Sequence, residues 1–132
     1  IEALSRGASN VTFIELASQA VATIKTNLKT TRLESGAKVI QSDAFRYLNS
    51  PIPSQAYDYI YIAPPQYKGM WLQALKIVDG NPAWLVEDGW VIVQIHPVEF
   101  EEVELKNLIE IDRRKYGSTM ILIYTPSANQ NL

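Results

Sequence analysis

The sequence predicts an α/β fold, a Rossmann-like three-layer sandwich with a mostly parallel sheet. Three observations point to it. Short runs rich in β-branched and aromatic residues alternate with amphipathic stretches along the chain. The early runs end abruptly in acidic or turn-forming residues, as strands feeding loops and helices do. The last two runs are joined by a short segment containing Gly117, which reads as an antiparallel hairpin.

Taken in order, the chain opens with Ile1-Glu2-Ala3-Leu4-Ser5-Arg6-Gly7, which reads as the tail of a helix closed by glycine. The chain is therefore expected to begin inside a fold. Val11-Thr12-Phe13-Ile14 is a strand ending at Glu15. Residues 17–28 are amphipathic, with Ala20, Ile24 and Leu28 on one helical face. Residues 32–36 connect to a strand at 37–41, which ends at Ser42-Asp43. A short helix follows at 44–48, then a proline-rich loop at 51–54. Residues 57–62 are apolar on both faces apart from Asp58, which predicts a central strand. Residues 69–78 are helical, and Asp79-Gly80-Asn81-Pro82 stops them. Asp88-Gly89 reads as a turn into a strand at 90–95. Residues 99–104 form an acidic linker or short helix. Strands at 108–111 and 119–124 close the fold, with 113–118 as their connection, and 129–131 read as a frayed tail.

Composition narrows the function. A chain of 132 residues is one domain with room for a core. Hydrophobic residues make up 47% and charged residues 20%, an ordinary globular balance. The formal net charge of −2 gives no overall field for nucleic acid, so any such contact must use a local patch. The absence of cysteine removes disulfides, thiolate metal sites and thiol catalysis. One histidine, His96, cannot build a multi-histidine metal site. No apolar run is long enough for a membrane helix. This composition suits a bacterial cytoplasm or an organelle matrix.

In parallel sheets, ligands bind beyond the carboxyl ends of the strands. Three predicted strand ends carry suggestive residues: Glu15, Asp43 and Ala63-Pro64-Pro65. A carboxylate there can accept hydrogen bonds from both hydroxyls of a ribose. Asp43, one strand on, could reach an adenine amine. Either acid could equally cap the helix that follows it or face water. The two in series, with a proline loop one strand later, favour a nucleoside site. His96 suits a structural or solvent-facing role better than a site role. Trp71, Trp84 and Trp90 read as packing. Arg113-Arg114-Lys115 reads as a solvated basic turn, with phosphate binding as the sharper alternative. Arg6 and Lys68 could add to a basic rim.

At these residues a resemblance becomes specific. Glu2-Ala3-Leu4-Ser5-Arg6-Gly7-Ala8, Val11-Thr12-Phe13-Ile14-Glu15 and Asn27-Leu28 resemble the RsmD-type family of 16S rRNA guanine-N2 methyltransferases. Asp43-Ala44, Tyr57-Asp58-Tyr59-Ile60, Pro64-Pro65, Tyr116-Gly117 and Ile123-Tyr124 continue the match in order. The resemblance implies the class I methyltransferase fold, with S-adenosylmethionine as donor, no metal, and rRNA or an assembling small ribosomal subunit as partner. It implies that Glu15 binds the donor's ribose, and that Asp43 and the Ala44 backbone hold its adenine. The Pro64 carbonyl would accept a hydrogen bond from the guanine amine.

Three departures from the family pattern stand out. The glycine-rich donor loop and the strand before it are not found, so the domain reads as incomplete at its N-terminal side. Ala63 stands where the family has Asp or Asn. Gln66 takes the aromatic position and Tyr67 is displaced by one. Tyr67 could still stack on a base, and the Gln66 amide oxygen could replace the missing acceptor. Two other readings stay open: a catalytically weakened relative that binds RNA or donor, and a Rossmann-type nucleotide-binding oxidoreductase.

Overall fold

The computed structural model describes residues 1–50, 56–64 and 69–127. It divides into two compact units, Ile1–Tyr47 and Leu48–Leu132. The proline-rich loop, Pro65, Gln66, Tyr67, Lys68 and the C-terminal tail lie outside the described residues.

In the first unit, helix α1 (Glu2–Ser5) is closed by Gly7 at φ +110°, a conformation that disfavours any residue with a Cβ. Strands β1 (Val11–Glu15) and β2 (Ala37–Gln41) pair in parallel, from Val11 opposite Ala37 to Glu15 opposite Gln41. Helix α2 (Ser18–Thr31) connects them. Its buried side chains are Val21 and Leu28, with Ala20 and Ile24 half-buried. That stripe is the apolar face expected from the sequence, rotated slightly toward Val21. Helix α3 (Ala44–Leu48) opens beyond β2.

The second unit holds β3 (Tyr57–Ile62), α4 (Met70–Asp79), β4 (Leu85–Ile95), β5 (Leu108–Tyr116) and β6 (Thr119–Pro126). The sheet order is β3-β4-β6-β5, with β3 parallel to β4 and the other pairs antiparallel. Val91, Val93, Ile95, Leu122 and Tyr124 are buried, as are Trp71, Ala74, Leu75 and Val78 of α4. A fully buried side chain of this kind contributes about 1.5–3 kcal/mol, so α4 and this sheet face carry much of the unit's stability. Two buried polar atoms, Trp71 Nε1 and the Tyr124 hydroxyl, have no partner among the described residues. Burial, with Glu110 adding to it, pushes the Tyr124 phenol up to about 12, so it stays protonated at neutral pH.

Several details correct the sequence reading. Among the described residues β3 pairs with β4 alone, and Tyr59 and Tyr61 are 65% and 60% exposed. Tyrosine tolerates this because its polar tip can stay wet, and the Tyr61 hydroxyl bonds Gln94 on β4. Trp71 and Trp84 are buried, but Trp90 is 39% exposed and meets Tyr59 edge to face. The hairpin turn is only Gly117-Ser118, with Gly117 at φ +59°, so Arg113 to Tyr116 belong to β5. Of the two readings of residues 99–104 the linker holds: after a single 3₁₀ turn at Pro97–Glu99 the segment is neither helix nor strand.

Asp88-Gly89 is also not a turn. It lies within β4, where the pairing jumps from Tyr57–Leu85 to Tyr59–Trp90, so β4 bulges against β3. A Cβ on Gly89 would lie 2.7 Å from Leu85 Cδ1 and 2.9 Å from the Asp58 carbonyl oxygen. Backbone cannot swing aside as a side-chain tip can. Gly89→Ala is therefore expected to cost about 1–3 kcal/mol, read as a lower urea midpoint at unchanged slope. Gly80→Ala, which meets only ordinary contacts at 3.5 Å, should be tolerated. Equal midpoints for the two variants would refute the close-approach account.

Candidate active site

The first unit brings together two of the residues singled out from sequence. Glu15 ends β1 and lies opposite Gln41, the end of β2, so the carboxyl ends of two parallel strands are level. The Ser42 amide donates to the Glu15 carbonyl at 3.0 Å, and Gln41 Nε2 donates to the Leu16 carbonyl at 3.3 Å. These bonds tie the loop after β1 to the end of β2. Gln41 was not singled out from sequence; its only signal was a polar residue closing an apolar strand.

Each carboxylate uses one oxygen locally. Glu15 Oε1 accepts from the Ala17 amide at 3.1 Å. Asp43 Oδ1 accepts from the Phe45 and Arg46 amides at 2.8 and 3.2 Å, capping the start of α3. The helix-capping alternative is thus realised for Asp43. It does not exhaust either group, because a carboxylate has two oxygens and about four lone-pair sites. Glu15 is half-buried, while Asp43 and Ala44 are exposed. A pair of strand-end carboxylates with unused acceptor capacity fits the hydroxyls and amine of an adenosine group.

In the second unit, Ala63 and Pro64 follow Ile62, the buried last residue of β3. Ala63 is exposed and Pro64 half-buried, so the strand-to-loop handover expected from the sequence is present. The remaining loop residues, Pro65, Gln66 and Tyr67, fall outside the described residues. His96 follows β4, where its Nδ1 accepts from the Val98 amide at 3.2 Å in a capping box with Glu99. That is the structural role favoured from sequence. Arg6 pairs with Glu2.

No helix of the described residues is long and apolar enough to cross a membrane.

The comparisons with known proteins bear on the family and the fold. The family model described as conserved hypothetical protein 95 matches residues 1–125. The chain is 35% identical over 126 residues to YlbH of Bacillus subtilis, provisionally named an rRNA methyltransferase. That alignment covers 94% of the chain and 67% of YlbH. It is 32% identical over 94 residues to ribosomal RNA small subunit methyltransferase D of Haemophilus influenzae, covering 70% of the chain and 48% of that protein. The chain thus spans about two thirds of the first relative and about half of the second. Among solved structures, a provisionally named methylase of Haemophilus influenzae superposes with a TM-score of 0.81 at 27% identity. That match covers 95% of this chain and 77% of the other. These relatives carry the names of methyltransferases, not of the oxidoreductases of the third sequence reading. By its match along nearly the whole sequence, and by the fold it shares with a methylase, the chain belongs to the conserved hypothetical protein 95 family, the RsmD-like methyltransferases.

Proposed function

We propose that the protein transfers a methyl group from S-adenosylmethionine to an exocyclic amine of guanine in ribosomal RNA. The observation that carries this reading is the pair of level strand ends, with Glu15 closing one and Asp43 two residues past the other, each accepting backbone amides through one carboxylate oxygen. The names of the two relatives support rRNA as the substrate class.

In this reading Glu15 receives the ribose hydroxyls, and Asp43 with the Ala44 backbone receives the adenine. The donor supplies an electrophilic methyl on a sulfonium. The protein's task is to aim the amine's lone pair at it, and positioning can supply most of the rate without a strong base. The Pro64 carbonyl accepts a hydrogen bond from the amine, and the fixed φ of proline holds that carbonyl in one direction. Tyr67 stacks on the target base, and the Gln66 amide oxygen supplies a second acceptor.

Ala63 favours a second reading, a weakened relative that binds donor or RNA with little turnover, because a methyl group cannot accept the amine's proton. Two measurements together separate the readings. Calorimetric titration with S-adenosylmethionine tests the donor site. Methyl transfer to small-subunit rRNA from a strain lacking the modification tests turnover. In the second reading Ala63→Asp is expected to raise the rate roughly tenfold to a hundredfold, the worth of one hydrogen bond of about 1–3 kcal/mol, whereas with Gln66 as the acceptor it changes the rate little. No gain would assign the acceptor role to Gln66 or to no side chain. No donor binding would sink both readings.

A further inference from the structure

The basic run Arg113-Arg114-Lys115 offered phosphate binding as its sharper sequence reading, but the structure pairs both arginines internally and leaves only Lys115 of the run without an ion pair among the described residues. Arg113 pairs with Glu110 at 2.9 Å and Glu102 at 3.3 Å, with its guanidinium 4.1 Å over the Phe100 ring. Arg114 pairs with Asp112 at 2.8 Å. The surrounding unit is acidic: residues 48–132 hold six Lys or Arg against ten Asp or Glu, a formal charge of −4.

The first unit is the opposite. Residues 1–47 hold six Lys or Arg against four Asp or Glu, a formal charge of +2. Lys25, Lys29 and Arg32 follow one another at i, i+4 and i+7, one side of α2 and its cap. All three are exposed, and none has an ion pair among the described residues. Arg32 ends the helix at φ +61°, where glycine is usual. Leu28, at i+3 from Lys25 and 3% exposed, lies on the same side, so the stripe flanks the buried seam of the helix. Beside it runs a groove of about 380 Å³, between Lys25 and Lys29 on α2 and Ala37 and Val39 on β2.

We propose that the Lys25–Lys29–Arg32 stripe and this groove hold the sugar-phosphate backbone of the RNA substrate, and that the C-terminal hairpin does not. The inference rests on the rRNA reading above and adds where the RNA lies. Along the helix axis the stripe covers about 10 Å, the scale of two nucleotide steps. Unpaired lysines suit phosphates because each neutralises one and releases a counterion, whereas paired arginines must first break their own ion pairs. The carboxyl end of a helix disfavours anions by about half a charge, which Lys29 and Arg32 together outweigh. Glu34 also lines the groove and opposes the anion.

The test is equilibrium binding of in vitro transcribed small-subunit rRNA at several salt concentrations, with methyl transfer measured on the same samples. Lys25→Gln/Lys29→Gln should weaken binding about tenfold or more and lower the salt slope by about 1.4–1.8, with donor affinity unchanged. Glu34→Gln should strengthen binding. Arg114→Gln/Lys115→Gln should leave both slope and affinity near wild type. A lysine pair with wild-type slope and affinity, in a protein that binds and methylates the RNA, overturns the surface alone. Wild-type protein that neither binds nor methylates the RNA overturns the rRNA reading and this surface with it.

Discussion

Asp79→Ala is expected to destabilise the second unit by about 3–5 kcal/mol, a large share of the roughly 5–15 kcal/mol that holds a typical domain together. Asp79 is the last residue of α4 and is 6% exposed. Its Oδ1 accepts from the Asn107 and Leu108 amides at 2.8 and 2.9 Å, and its Oδ2 from the Lys106 amide at 2.9 Å. Asn107 Nδ2 returns a bond to the Asp79 carbonyl at 2.8 Å. The carboxylate thus sits in a nest of three amides that starts β5 and seats Leu108 in the core. Alanine leaves those amides without their acceptor, and each charge-assisted bond is worth about 1.5–3 kcal/mol, less when lost together. Asp79→Asn keeps one oxygen and turns an N–H toward the Lys106 amide, so it should lose about half as much. Urea unfolding followed by tryptophan fluorescence reads both. A loss below about 1 kcal/mol for alanine would mean that water replaces the carboxylate, and would remove the nest from the account of stability.

The second large effect falls on donor binding. Glu15→Ala should weaken S-adenosylmethionine binding about a hundredfold, close to 2.7 kcal/mol. A carboxylate that bonds two ribose hydroxyls loses both bonds at once, and alanine offers no acceptor in their place. Glu15→Gln keeps one acceptor and should cost roughly tenfold. Alanine also removes the bond from the Ala17 amide, so thermal unfolding without donor should fall slightly for alanine and less for glutamine. Calorimetry on folded protein separates the two effects. Wild-type affinity in Glu15→Ala would remove Glu15 from the donor site while leaving its capping role intact.

The element order was readable because each strand and helix has its own hydrophobic period. Val11–Glu15, Ala37–Gln41 and Tyr57–Ile62 came out as read. What escaped depends on partners distant in sequence. Asp79 looked like part of a helix stop, since its three amides come from residues 27 to 29 positions later. The pairing of Arg113 with Glu110 and Glu102 needs the strand and the preceding loop to lie together, and periodicity does not encode that. The β4 bulge hid behind an Asp-Gly pair that is usually a turn. Of the candidate site, the strand-end carboxylates and the start of the proline loop were legible, because a strand's end is a local property. How each carboxylate divides its two oxygens was not, because that depends on where the next backbone amides turn.

That division has a consequence for the speed and strength of recognition. A glutamate or aspartate that is free to rotate must be frozen when a ligand arrives, at about 0.5–1.5 kcal/mol for each immobilised side chain. Here Asp43 is already held by two amides and Glu15 by one. Their rotamer entropy is surrendered once, when the chain folds, and not again at each encounter. In the proposed donor site, the helix cap that looked like a rival to the functional reading becomes its ally, because the backbone aims the acceptor before a nucleoside arrives.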